Sequence, residues 1–359
     1  MLHVDTERGW RGGERQVLWL ADGIARLGDT NVIAARAGES LAVRAREAGL
    51  PVVELTPAFE GDPRAAWALR NAIREHRIDL VHAHAAHAVS LGALATLGLP
   101  VPLVVSRRVD FPLRQNWGTR WKYGRASIVI AISEAVASVL RRGGLASPIE
   151  VVHDGTDTAR SADPVDAATL AALGVTAGAP LVVQVAQLVG HKDPLTFVRA
   201  IARVRELVPS VQALLVGDGP LRTDVEREVQ SLGLGATLHV AGYRTDADRL
   251  LAAADVVVLS SREEGMGSVL LDALVFGKSV AATRAGGIPE VVLHEETGLL
   301  VPVGDPRALG DAIARLLSDA ELRARLSRAA RARAAQFSIG VMAARTRECY
   351  RSALGRRGA

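Results

Sequence analysis

Short apolar runs alternate with amphipathic stretches of about 10 to 16 residues along most of the chain, the rhythm of repeated βα units. In the first half the runs predict strands at Leu2-Val4, Asn31-Ala34, Val52-Glu54, Leu80-His82, Leu103-Ser106, Ile128-Ile132 and Ile149-Val152. Helical periodicity fills the gaps, as at Glu14 to Leu27 and Arg64 to His76. A polar, irregular stretch from His153 to Asp166 breaks the rhythm. It restarts with strands predicted at Leu181-Ala186, Val211-Val216, Thr237-Val240, Val256-Leu259, Ser279-Ala282 and Leu299-Val301. These runs are rich in Val and Leu rather than alternating, as expected for parallel strands covered on both faces. The pattern predicts two α/β domains in series, joined near 155–175, with helices continuing from Pro306 past the last strand.

Composition narrows the class. A chain of 359 residues suits two domains. Hydrophobic residues at 49% and charged residues at 23% give a soluble globular balance. Aromatics are only 4%, so the cores rest on Ala, Val and Leu. No apolar run reaches the ~18 residues of a membrane span. The segment Met1 to Asp5 carries no basic stretch leading into an apolar one, so a cytoplasmic location is expected. The single cysteine, Cys349, excludes an internal disulfide and a Cys-based zinc cage and reads as a helical surface or packing thiol. The net charge is +4, yet 39 acidic residues are interspersed with the basic ones, which argues against a nucleic-acid surface. Arg323 to Arg333 reads as a solvated helix face. Only Lys122, Lys192 and Lys278 are lysines, so a lysine in this chain draws attention.

Three segments carry chemistry. Trp10-Arg11-Gly12-Gly13-Glu14-Arg15-Gln16 follows the first strand and opens a helix. Its glycines let a ligand approach the backbone, and a helix N-terminus offers N–H groups to a phosphate or sugar. The dinucleotide fingerprint G-x-G-x-x-G is absent there, which argues against a nicotinamide dehydrogenase. In Gln184 to Pro194, Lys192 sits just before a helix start at the C-terminal edge of the second sheet, where open α/β sheets bind ligands. Its ammonium suits a diphosphate. The third and most informative segment is Glu263-Glu264-Gly265-Met266-Gly267-Ser268-Val269-Leu270-Leu271-Asp272. Glu264 ends a loop, Gly265 and Gly267 free the backbone to present N–H groups, and Asp272 lies about one turn inside the next helix. Carboxylates of this kind accept paired hydroxyl protons from sugar and ribose diols. Ala285-Gly286-Gly287-Ile288-Pro289-Glu290 adds another backbone-donor loop.

Other signals are weaker. Gly277-Lys278-Ser279 lacks the glycine a phosphate loop needs and reads as the lead into a buried strand. His82, His84 and His87 are not joined by a carboxylate or cysteine cluster, so no metal site is expected; His84, a polar group at a strand end, is the better functional candidate. Val216-Gly217-Asp218-Gly219-Pro220 reads as a strand-to-turn junction.

In order and spacing, these motifs resemble glycosyltransferase family 4, the retaining enzymes of the GT-B fold. The resemblance spans most of the chain. It includes Gly12-Gly13-Glu14, Asp79 to His84, Ala131 to Glu134, Val152 to Asp157, the Lys192 segment, Leu215 to Leu221, Ser260 to Asp272 and Gly286 to Glu290. It implies two Rossmann-like domains facing each other across a cleft: 1–160 on the acceptor side, 161–335 binding the nucleotide sugar, and a terminal helix, 336–359, packing back towards the first. It implies that Gly12 and Gly13 contact the donor, Lys192 neutralises the departing diphosphate, and Glu264 holds the sugar hydroxyls beside Gly265, Met266, Gly267 and Ser268. Asp272, where the family usually has glutamate, takes the ribose diol, and the loop at Gly242-Tyr243-Arg244 holds the base.

Two positions depart from the family pattern. Gln187 stands where a second, arginine clamp is common. Arg108 stands where a histidine often faces the acceptor, leaving His84 as the histidine candidate there.

The activity implied is transfer, with retention, of a sugar from a nucleoside-diphosphate sugar to a glycan or lipid-linked acceptor, in cell-envelope polysaccharide or lipopolysaccharide synthesis, with no cofactor and no metal. The mixed aromatic and basic segment Asp110 to Lys122 suits a membrane surface at the inner face, a lipid-linked or polysaccharide acceptor, or equally a packing loop. A nucleotide-sugar epimerase or phosphorylase of the same fold, and a non-catalytic sugar-binding relative, are the competing readings. Donor base, sugar, acceptor and linkage are not encoded in any motif read above.

Overall fold

The computed structural model describes residues 1–356. These fall into two compact units, one formed by Met1–Gly155 with the described residues from Ser338 onward, the other by Thr156–Phe337. Arg160 therefore belongs to the second unit, and the last helix to the first.

The first unit is a seven-stranded parallel sheet. Its strands are β1 (Leu2–Asp5), β2 (Val32–Arg36), β3 (Val52–Leu55), β4 (Val81–Ala83), β5 (Leu103–Arg107), β6 (Ala126–Ala131) and β7 (Ile149–Val151). The spatial order is β3-β2-β1-β4-β5-β6-β7. The helix Gly12–Arg26 buries Val17, Leu20, Ala21 and Ile24, the spacing of one helical face. Over that face lies the helix Ile339–Gly355, whose Met342, Ala343, Tyr350 and Ala353 join Leu20, Ile24, Val104 and Ile128 in one core. A Cβ on Gly23 would come within 2.8 Å of the Ala343 Cβ, so this glycine sets how close the two helices approach. Cys349 is buried in that packing, where burial raises its thiol to about 11. Residues 357–359 of the expected terminal helix lie outside the described residues.

The second unit is a six-stranded parallel sheet of β8 (Leu181–Val185), β9 (Gln212–Val216), β10 (Leu238–Gly242), β11 (Val256–Leu259), β12 (Ser279–Thr283) and β13 (Leu299–Val301). Their order is β10-β9-β8-β11-β12-β13. Phe197, Val198 and Ile201 of the helix Pro194–Leu207 pack with Leu309, Ile313 and Leu316 of the helix Pro306–Ser318 in its core. Asp193-Pro194 and Asp305-Pro306 each open a helix, the aspartate accepting from a backbone N–H and the proline fixing the first turn.

The arginine-rich helix Ala320–Ala334 is not simply a solvated face, as the sequence suggests. Arg323 donates to the carbonyls of Leu316 and Leu317, and Arg333 to those of Glu290 and Val291. Both close the exposed carbonyls of preceding helix ends, a use of arginine that helical spacing does not reveal.

Candidate active site

In the second unit the chain runs from β8 outward through β9 to β10, then returns beside β8 and runs the other way through β11 to β13. β8 and β11 thus flank the point where strand order reverses, and their carboxyl ends open a crevice there. The loop after β8 brings Lys192 to it and the loop after β11 brings Ser260 to Gly267.

The Lys192 ammonium donates to Glu264 Oε2, and Ser261 Oγ donates to the same oxygen at 2.9 Å. The side chains are 21% and 10% exposed, so the pair is shielded from water yet within its reach. Beneath it, Ser260 Oγ sits 3.1 Å from Gln184 Oε1, 3.1 Å from the Lys192 carbonyl and 2.9 Å from that of Asp193. Asp193 takes a left-handed conformation at φ 45° and accepts from Thr196 Oγ1 at 2.6 Å and Arg262 Nε at 2.7 Å. The Gly287 amide donates to the Glu264 carbonyl at 2.9 Å, tying the glycine pair after β12 to the same loop.

Gly217, at φ 140°, explains a junction the sequence leaves as structural. A Cβ there would stand 1.9 Å from the Ala186 carbonyl oxygen. The loop after β9 therefore lies directly on the loop that carries Lys192.

Gly267, at φ 81°, is the turn into the helix Ser268–Val275, with Met266 buried before it. Asp272 lies in that helix's second turn. Its carboxylate accepts from Arg160 Nη2 at 2.6 Å, a partner the sequence gives no sign of, since Arg160 falls in the irregular stretch read as linker. Gln187 is exposed, and Tyr243, beyond β10, is 65% exposed.

The first unit has its own reversal between β1 and β4. Asp5 ends β1, His84 follows β4, Arg108 follows β5, and the helix at Gly12 begins in the loop after β1. Glu14 reaches back to the Arg11 amide at 2.7 Å, and the space around a Gly13 Cβ would be open to 4 Å. His84 and Arg108 are brought together: Arg108 Nη1 is 3.2 Å from His84 Nδ1 and its Nε donates to Asp154 Oδ1 at 3.2 Å.

His84 Nε2 lies 3.0 Å from His3 Nδ1, and His3 Nε2 lies 2.9 Å from Asn31 Oδ1. The Asn31 amide donates to the Ala21 carbonyl, which leaves Oδ1 as acceptor. One direction satisfies the whole chain, with the guanidinium donating to His84, His84 to His3, and His3 to Asn31, both rings neutral. The third ring, His82, is held between Tyr350 Oη at 2.7 Å and Ser106 Oγ at 2.8 Å.

Burial pushes His3 down to about 4 and His82 and His84 well below the ordinary histidine range, helped by the Arg108 charge. Burial also raises Asp5 to about 7 and raises Asp154 against the pull of Arg108. The ring nitrogens of His3, His82 and His84 lie close enough to suggest a metal cage. His3 is the member that sequence spacing misses. All six nitrogens are already committed to hydrogen bonds, so a metal would have to displace them.

Known proteins resemble this chain along most of its length. Residues 10–160 match the family model described as Glycosyltransferase Family 4, and 168–333 the model described as Glycosyl transferases group 1. The lipopolysaccharide core biosynthesis glycosyltransferase LpsE of Rhizobium meliloti is 31% identical over 62% of this chain and 62% of its own. The chain thus spans about three fifths of that relative's length. The alpha-maltose-1-phosphate synthase of Mycolicibacterium smegmatis is 31% identical over 76% of this chain and 78% of its own. Among solved structures, Anabaena Alr3699/HepE in complex with UDP-glucose superposes with a TM-score of 0.85 at 25% identity, covering 98% of this chain and 99% of the other.

Proposed function

The chain belongs to the group 1 glycosyltransferases of family 4, and on that premise we propose that it moves a sugar from a nucleoside-diphosphate sugar to an acceptor hydroxyl in glycan biosynthesis. The Lys192–Glu264 pair at the reversal of the second sheet carries this reading. As the bond from the anomeric carbon to the diphosphate breaks, negative charge grows on the leaving oxygens. Lys192 then exchanges Glu264 for phosphate, and Glu264 is released to hold sugar hydroxyls beside Gly265, Met266, Gly267 and Ser268. Preorganised donors aimed at developing charge supply most of the stabilisation in such reactions. Asp272 accepts from the ribose, and Tyr243 stands by the base. Gly12 and Gly13 offer their amides to the phosphate or sugar.

Retention follows from attack on the face the leaving group departs. The acceptor oxygen bonds to the anomeric carbon while its proton passes to a diphosphate oxygen, so Glu264 positions rather than attacks. His84 and Arg108 meet the acceptor, a glycan or lipid-linked chain. Trp117, 79% exposed and paired with Trp121 at 6.3 Å, supports contact with an anionic membrane surface on the cytoplasmic side. Among the described residues no helix is long and apolar enough to cross a membrane.

A thermal-shift screen tests the donor. Uridine, guanosine or adenosine diphosphate, or one of their sugars, is expected to raise the melting temperature, since a ligand at a hundred times its Kd adds about 2.7 kcal/mol. A flat response to every nucleotide refutes the reading.

A further inference from the structure

Arg160 enters the second unit from the stretch that follows Thr156 and makes a contact no motif foretells. Its Nη2 donates to Asp272 Oδ1 at 2.6 Å and stands 3.6 Å from Asp248 Oδ1. Its guanidinium carbon lies 5.1 Å from the Phe276 ring centre, a cation held over an aromatic face. Three neighbours thus fix one arginine. The Asp272 side chain is only 5% exposed. A carboxylate so buried relies on a fixed donor to hold its orientation, and Arg160 is such a donor. Aspartate is also one methylene shorter than the glutamate the family favours here, so its reach depends on how it is oriented.

We propose that Arg160 is the positioning residue for ribose recognition: it holds Asp272 turned so that the carboxylate accepts from the ribose hydroxyls of the donor nucleotide. This rests on the donor reading above. It adds a residue from outside the loop motifs and a consequence, that discrimination between ribose and deoxyribose runs through the guanidinium. A merely structural Arg160 would steady the fold and leave that discrimination alone.

The experiment is calorimetric titration of the full chain with UDP, GDP and ADP and with their 2′-deoxy counterparts. The parent is expected to bind one ribonucleotide about tenfold more tightly than its deoxy form, the scale of one charge-assisted hydrogen bond. In Arg160→Gln the ribonucleotide should weaken about tenfold and the ribose preference should shrink below about twofold. Arg160→Lys, which restores charge but not the planar fork, should lie between. A folded Arg160→Gln that keeps the parent's preference overturns the proposal while leaving the donor site standing. A parent that binds no ribonucleotide, or does not distinguish the sugars, overturns the donor reading or the Asp272 role, and the proposal with it. Should Arg160→Gln fail to fold, the double variant with Asp272→Asn removes the stranded charge. It should bind as Asp272→Asn alone does, and a further loss beyond that variant would mean that Arg160 contacts the ligand directly, against the proposal.

Discussion

The two units place their functional groups at the same kind of location, the reversal in strand order, yet build them in opposite ways. The second unit keeps ions there: Lys192 against Glu264 on a loop shaped by glycine, and Arg160 against Asp272 of the helix that follows. The first unit keeps neutral rings: His84 and His3 in a buried relay from Arg108 to Asn31, with His82 beside them. Under the proposed function the second unit gains and releases a diphosphate, and a cation already paired and ready to change partners suits that task. If the first unit takes the acceptor, as proposed, a surface that holds it in one pose benefits from a lattice of hydrogen bonds with no freedom to rearrange.

The sharpest way to break this contrast is Lys192→Ala. Loss of one donor to developing charge typically costs about 100- to 1,000-fold in turnover. The change also leaves Glu264, 10% exposed, with Ser261 but no cation, so the melting temperature should fall by a few degrees while the chain still folds. Steady-state rates and a melting curve on the same preparation check both halves. Turnover within about threefold of the parent would remove the second unit's claim to the chemistry.

That asymmetry also governs what could be read from sequence. Among the described residues the central strands lie on apolar runs, because parallel strands buried on both faces leave a continuous signal, while the edge strands β3, β7 and β10 are read from shorter mixed runs. Lys192, Glu264 and the Gly265–Gly267 turn stand out since glycine and a rare lysine mark loops. The histidine relay stands out only in part, through His84 and Arg108; nothing in the sequence joins His3, Asn31 or Asp154 to them. Its members, His3, Asn31, His84, Arg108 and Asp154, come from five separate segments and converge only through strand order. Arg160 and Ser261 are missed for a related reason, their meaning lying entirely in the carboxylates they face. Gly217 is visible in sequence, but its reason, a carbonyl 1.9 Å from the missing Cβ, needs the fold.

Acid should separate the units next. His3 titrates near 4 when folded and near 6.5 when unfolded. A depressed value means stability that is present above pH 6.5 and lost as pH falls towards 4, roughly 3 kcal/mol for this ring alone. His82 and His84 shift the same way. Asp5, raised to about 7, has the opposite sign, its contribution being present in acid and lost as pH rises to 7, and Asp154 shifts the same way, but these are two carboxyls against three rings. Amide exchange followed at pH 7, 6 and 5 should show protection falling in residues 1–155 before 156–337. Equal loss in both units would contradict the neutral relay.

The smallest effect is the most pointed, because it compares one hydroxyl with another. Ser261 and Ser106 are both buried, and each meets one functional group: Ser261 donates to Glu264, Ser106 contacts His82 Nε2 at 2.8 Å. Each bond is worth about 1 kcal/mol net, or some fivefold. Glu264 keeps Lys192 when Ser261 is lost, so no charge is stranded; what slackens is the carboxylate's aim at the sugar. Ser261→Ala should therefore lower turnover about fivefold and leave the melting temperature nearly unchanged. Removing Ser106 strands a ring nitrogen in a dry interior, where the penalty falls on folding. Ser106→Ala should lower stability by about 1–3 kcal/mol in urea unfolding and leave donor turnover within about twofold. A crossed result, with Ser106→Ala slow but stable and Ser261→Ala active but weakened, would show that the reacting groups gather at the histidines and that the Lys192–Glu264 pair serves the fold.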